Sequence, residues 1–542
     1  MVMGLVNMGF LLACGPAPQD SATPVTATPI PLDNAALLRR ASLDLRGRPP
    51  SLTELDRLEQ DPGALPDLLD HYVQDPTFGP TLMDRYALLY RTRVNAFVVG
   101  VDGDYDLLND PAAHQSFVSA VGLEPLQILQ RVASENLPYT DLVTGDWTMT
   151  TERLAESWPV EPIGPPNARG WMLARYTDGR PQAGVLVSNG LWWRYTSTSE
   201  NRNRGRAEAV ARILLCDERY SDGVDFSQGE GTAMALEDRA SSEASCLGCH
   251  AALDPIGSYL WGFWRNHPES FTEAASYYPA RELMWQTQGG PEPALYGQPG
   301  ASLYDLGQQI AADPRFSECA VRQGFEGLLG RPAELQDTAA LTEHREAFIQ
   351  GDLTLRTLYR SLVDDPLYRS ADPDFTGTTP KRLMSPALLA RQVESLTGFS
   401  WTWEGGEMMS NDTSGVRLLA GGADGLLSQT QAQDYSLTSV LVQQRLAEGA
   451  SAFVVEQDSL SLAADRRLFG LLTDLSSPPK DSVLRAQIND LCRSTWSRSP
   501  SPQEEEGLVA LWEGLYESSG SAETAWTLLL SGLLRHPDFM EY

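Results

Sequence analysis

Basic side chains are scarce in this 542-residue chain: 41 Lys+Arg stand against 72 Asp+Glu, a formal net charge of −31. Such a surface repels phosphates, which argues against nucleic acid and anionic lipid surfaces and favours a basic protein partner. Cysteine and histidine are also few, six of each. That excludes a small disulfide-stapled scaffold. No second C-x-x-C and no H-x-x-x-H is present to complete a zinc cage. A Gly-rich phosphate loop and a G-x-S-x-G nucleophile elbow are both missing. No segment offers 18 consecutive apolar residues, so none reads as a membrane span. What remains is ordinary globular composition, 42% hydrophobic and 21% charged, with length for two to four domains.

Met1 to Ala13 is almost wholly apolar and closes on Leu11-Leu12-Ala13-Cys14. This resembles the lipobox of bacterial lipoproteins, in which the Cys becomes the lipidated first residue. The stretch has the length of a signal h-region and is too short to span a bilayer. No Lys or Arg precedes it, so either the true start lies upstream or the stretch is a buried helix. Residues 15–31 are rich in Pro, Thr and Ala without periodicity and read as a tether. The expectation is a signal peptide over 1–14, lipidation at Cys14, and membrane contact through that anchor only. The protein would sit at the cell envelope, facing the periplasm or the cell surface.

Beyond the tether the chain reads as mainly α, with helical-hairpin modules around a loop-rich segment. Three segments share one recipe of Pro turn, helix, short break, second helix, and Pro-plus-aromatic stop. They run from Gly47-Arg48-Pro49-Pro50 to Asp75-Pro76-Thr77-Phe78, from Gly330-Arg331-Pro332 to Asp365-Pro366-Leu367-Tyr368, and from Arg498-Ser499-Pro500 to His536-Pro537-Asp538-Phe539. Ser51 with Glu54 and Ser501 with Glu504 read as capping boxes. Pro502 fits a first helical position. Related modules and shared turn chemistry both account for the pattern. Trp526 to Leu534 is apolar nearly all round and predicts a buried helix. Gly184 to Trp193 fits a strand or the start of a buried helix. The boundaries expected are 32–179 for an N-terminal helical domain, 180–299 for the loop-rich domain that contains Cys246 to His250, 300–376 for a following helical domain, and 377–542 for a C-terminal helical domain.

Cys246-Leu247-Gly248-Cys249-His250 carries the chemistry. Two thiols three residues apart can each add to a haem vinyl group, and the adjacent His then supplies the proximal axial ligand. By composition alone a C-x-x-C-H arises with a probability on the order of 0.001 for a chain like this one. One covalent haem c is therefore expected, held by Cys246, Cys249 and His250. Met284, 34 residues after His250, is the candidate distal ligand, with Met234, His267 and Met384 as alternatives.

With Asp254-Pro255-Ile256-Gly257 following it as an Asp-Pro turn, this motif resembles the haem signature of the planctomycete-type cytochrome c domain proteins. These are exported, multi-domain bacterial proteins with helical domains of unknown function. Asn136 to Ala155, Asn201 to Cys216, Tyr296 to Arg331 and Leu533 to Phe539 resemble further blocks of that family. The order departs from it, because segments like its N-terminal helical block recur near the C-terminus. The resemblance implies covalent haem and electron transfer and supplies no substrate.

Removing Cys14, Cys246 and Cys249 leaves Cys216, Cys319 and Cys492. An oxidising compartment favours a pair. Cys216 with Cys319 would staple the haem segment to the helices after it; the alternative is three buried thiols. Arg202, Arg204 and Arg206 could meet haem propionates or simply pair locally. His71, His114, His344 and His536 read as surface or capping residues. Three functions stay open: an electron carrier with an unidentified redox partner, a haem-dependent oxidoreductase with an open axial position, and an envelope scaffold or binding protein with structural haem.

Overall fold

Helical periodicity dominates the chain, and a computed structural model describes residues 30–93, 109–198, 201–220, 244–263, 276–371, 382–403, 406–410, 415–423, 428 and 430–542, with side chains from 247 onward in the helix starting at 244. Cys14, Met234, His267 and nearly all of the tether lie outside the described residues. The fold is mainly α. Helices of eight residues or more are α1 (Asn34–Arg46), α2 (Leu52–Gln60), α3 (Leu65–Tyr72), α4 (Phe78–Tyr90), α5 (Pro111–Ser134), α6 (Arg204–Leu215), α7 (Ala244–Ser258), α8 (Leu303–Ala312), α9 (Pro314–Leu329), α10 (Thr338–Gln350), α11 (Leu355–Asp364), α12 (Pro386–Thr397), α13 (Leu437–Leu460), α14 (Asp481–Trp496), α15 (Pro502–Ser519) and α16 (Ala522–Leu533). None is long and apolar enough to cross a membrane.

Apolar side chains from Leu37 to Tyr368 form one continuous core, which includes Leu253 and Ile256 of α7 and Leu260 just beyond it. A second core runs from Met384 to Met540 and takes in Leu43 of α1. Met384, an alternative ligand by sequence, is buried in that second core and is a packing residue. A three-stranded antiparallel sheet, order β1 (Thr148–Thr150), β3 (Met172–Tyr176), β2 (Val160–Pro162), precedes α6 and α7. Buried Glu124 of α5 ties it down by accepting from Thr148 Oγ1 at 2.8 Å, Tyr176 OH at 2.6 Å and the Gly190 N–H at 2.9 Å. Burial holds its carboxyl above the usual range. The stretch Gly184 to Trp193 is not a strand; the other expectation, the start of a buried helix, is met. It is a 3₁₀ turn, Gly184–Val187, followed by the one-turn helix Asn189–Arg194.

The three recurrent segments build the same local structure. Each opens on a left-handed residue that ends the preceding helix, Gly47 (φ 68°), Gly330 (φ 71°) or Ser497 (φ 59°), the position where an α-helix is most easily stopped. Each then closes a capping box, at Ser51/Glu54, Glu334/Asp337 or Ser501/Glu504. In each, an arginine before the helix grips the box's acid: Arg46 on Glu54, Arg331 on Asp337, Arg498 on Glu504. The hydrogen bond from Arg498 draws the Glu504 carboxyl down to about 2.

The modules are then fastened together through α1. Arg39 donates to the Thr495 carbonyl at 3.0 Å and the Asp538 carbonyl at 2.6 Å, and Arg40 to the Tyr368 carbonyl at 2.8 Å and the Ser370 carbonyl at 3.0 Å. Between them, fully buried Asp44 accepts from Arg85, Arg382, Tyr368 OH and Tyr542 OH.

Two sequence expectations change. His344 is not a surface residue: it is 4% exposed, with Nδ1 on Ser361 and Nε2 on Asp365, both at 2.8 Å. Trp526, Leu529, Leu530 and Leu533 of α16 are buried as expected, but Leu528 faces solvent. A disulfide joins Cys216, just beyond α6, to Cys319 of α9, with Cα atoms 5.2 Å apart. Cys492 is the buried thiol left over, and burial pushes it up to about 12.

Candidate functional site

The C-x-x-C-H motif lies in the first half of α7. Its second half and the turn after it are the anchor: Leu253 and Ile256, then Tyr259 and Leu260, sink into the core. The first half stands outward. Leu247 is exposed, Cys249 and His250 are half-buried, and no atom lies within 4 Å of where a Gly248 side chain would begin. The Cys246 side chain is outside the described part.

α6 packs directly against α7. A side-chain carbon at Gly257 would sit 2.8 Å from the Arg202 carbonyl oxygen, so only glycine permits this approach. Asn203 Nδ2 donates to the Gly257 carbonyl at 3.2 Å. One turn on, Arg204 grips Asp254 bidentately, Nε to Oδ1 at 2.6 Å and Nη2 to Oδ2 at 3.0 Å. Asp254 Oδ2 lies 3.3 Å from His250 Nδ1. A carboxylate ion-paired to arginine accepts only, so Nδ1 is the donor of this pair and Nε2 is the nitrogen left for another partner. The residues present therefore fit a covalently held haem: a half-exposed thiol beside an imidazole whose free nitrogen is the ligating one, on an open helix face.

Asp254-Pro255 was expected as a turn and instead lies inside α7, which continues to Ser258. The i, i+4 spacing of His250 and Asp254 on a helix is the signal that would have revealed their pairing. Arg206 is not available to propionates. It is buried, donating to the Tyr195 carbonyl and to Asn203 and lying over the Trp192 and Phe263 rings. Arg204 is committed to Asp254, and Arg202 donates to the Gly289 carbonyl at 3.1 Å.

Met284 is half-buried at the start of the one-turn helix Met284–Thr287. Its segment is pinned to the far end of α7, where Ser258 Oγ donates to the Pro291 carbonyl at 2.8 Å. Among the described residues, no group of three or more His, Cys, Asp or Glu side chains gathers as a metal cage. Comparison of the chain with family models, with curated proteins and with solved structures gives no match.

Proposed function

We propose that this chain is an exported, lipid-anchored c-type cytochrome-like protein that carries one haem and passes electrons at the cell envelope. The observation that carries the reading is His250, oriented by Asp254 beside Cys249 on an outward-facing helix. Haem, when bound, supplies a one-electron iron couple. Cys246 and Cys249 would hold it, His250 Nε2 would ligate it, and Asp254 with Arg204 fixes the tautomer and aim of the imidazole. Intact mass and pyridine haemochrome spectra of protein matured in a periplasm test this. The added tetrapyrrole mass is expected in the wild type and absent from Cys246→Ala/Cys249→Ala; bare polypeptide mass in both would refute the reading.

Asp254→Asn is expected to raise the reduction potential while leaving the haem attached. The His250 N–H···carboxylate bond strengthens as the ligand becomes more cationic, so it favours the oxidised state. Losing a charge-assisted bond of this kind shifts a one-electron equilibrium by roughly tenfold, about 60 mV. Potentiometric titration reads the shift, and an unchanged potential in a haem-loaded variant removes Asp254 from this role.

A second reading, a haem-dependent oxidoreductase with an open axial position, is favoured by one feature. The Met284 segment is pinned at Ser258, eight residues and about 12 Å along α7 from His250. Carbon monoxide binding to the reduced native protein distinguishes it from a six-coordinate carrier with Met284 as distal ligand.

A further inference from the structure

A cavity of about 610 Å³ opens where α4, α6 and α9 meet the residues leading into α12. In a chain of net charge −31 its wall is basic, with seven arginines against three carboxylates. Six of those arginines are answered by an acid: Arg85 and Arg382 by Asp44, Arg391 by Asp84, Arg212 by Glu208, Arg322 by Glu326 and Arg331 by Asp337. Arg91 is the exception, with no side-chain hydrogen bond or ion pair among the described residues.

Its setting sharpens the point. Arg91 sits just past α4 in left-handed backbone, φ 54°. Among the described helix ends with this backbone, glycine takes four, Gly47, Gly330, Gly398 and Gly520, while Cys216 and Ser497 share the non-glycine exception with Arg91. Glycine is the residue this conformation favours, so the guanidinium is held here against backbone preference. Burial, and then the Arg212 charge, depress its hold on its proton; Tyr195 and Glu208 oppose them in part, and Arg194 adds to the depression. A cation partly buried beside two others is stabilised by an anion. Half-buried Leu88, Leu89 and Leu388 complete the wall, and they suit an apolar body.

We infer that this cavity binds a small organic anion, its carboxylate or phosphate head on Arg91 and its apolar body against Leu88, Leu89 and Leu388. The site is separate from the His250 helix face, and the inference does not depend on haem.

The test is calorimetric titration of the full chain with octanoate and with octyl phosphate, using octylamine as the cationic control. At least one of the anions is expected to bind saturably, the tighter of the two identifying the head group, while octylamine does not bind. Arg91→Gly removes the guanidinium at a position that welcomes glycine, so its fold and melting temperature are expected to be kept or improved while affinity falls tenfold or more. Arg91→Lys, which keeps the charge, is expected to retain binding. Equal affinity in the wild type and Arg91→Gly, no binding of either anion, or octylamine binding as tightly as the anions would overturn the inference.

Discussion

Asp44→Ala is expected to cost about 3–5 kcal/mol, the range for breaking a buried ion pair by removing one partner. The carboxylate has no exposed surface, and its acceptor sites are filled. Oδ1 takes Arg85 Nη2 at 2.9 Å and Tyr542 OH at 3.1 Å; Oδ2 takes Tyr368 OH at 2.9 Å and Arg382 Nη2 at 3.1 Å. These donors come from the ends of the second and third modules, from α4 and from the entry to the second core. Truncation strands two guanidiniums and two hydroxyls and releases the joint between all three modules. Chemical denaturation followed by circular dichroism reads the loss; a variant within 1 kcal/mol of wild type would show that the modules do not depend on this joint.

The same residue gives the pH dependence. Burial alone would raise the Asp44 carboxyl, but Arg382 and Arg85 overcome it and hold it below the usual carboxylate range. A depressed native value means that the contribution is complete above the range where free carboxylates titrate, about 4, and is lost as pH falls through the lower native value. Asp44→Asn, which has no titrating group there, should therefore unfold with a shallower acid limb than wild type.

What could be read in the sequence and what could not divides by distance along the chain. The capping boxes, the Pro stops and the C-x-x-C-H motif are patterns within a few residues, each with its own physical cause, and the first two appear in the structure where expected. The Asp44–Tyr542 contact spans 498 positions, and no local pattern announces it. His344 looked like a helix-surface residue because its burial is made by Ser361 and Asp365 on the neighbouring helix. Met384 and Met284 are indistinguishable as residue types; only packing separates a core methionine from a half-buried one in the segment fastened to α7. Asp254 was missed for a different reason. Asp-Pro is a turn signal, and that outweighed its helical spacing from His250, whereas α7 accommodates Pro255 one turn before its end. The seven arginines of the cavity come from positions between 85 and 391, so its charge balance exists only in the fold.

Breaking the Cys216–Cys319 bond is the second large effect expected. The cystine closes a loop of 103 positions that contains α7 and the segments after it. The constraint it places on the unfolded chain is worth about 2–4 kcal/mol in typical cases, more for long loops. Cys319→Ala and Cys216→Ala should each lose an amount of that order, but a third variant separates the bond from the backbone. Cys216 is itself left-handed, φ 50°, at the end of α6. Cys216→Gly loses the same bond yet relieves that strain, and should recover roughly 1 kcal/mol relative to Cys216→Ala. Cys492 should not interfere, because a buried thiol pushed up to about 12 offers almost no thiolate for exchange at neutral pH. Denaturation of the three variants, oxidised and reduced, checks the order. If Cys216→Gly and Cys216→Ala prove equally unstable, relief of the left-handed backbone adds nothing at this position.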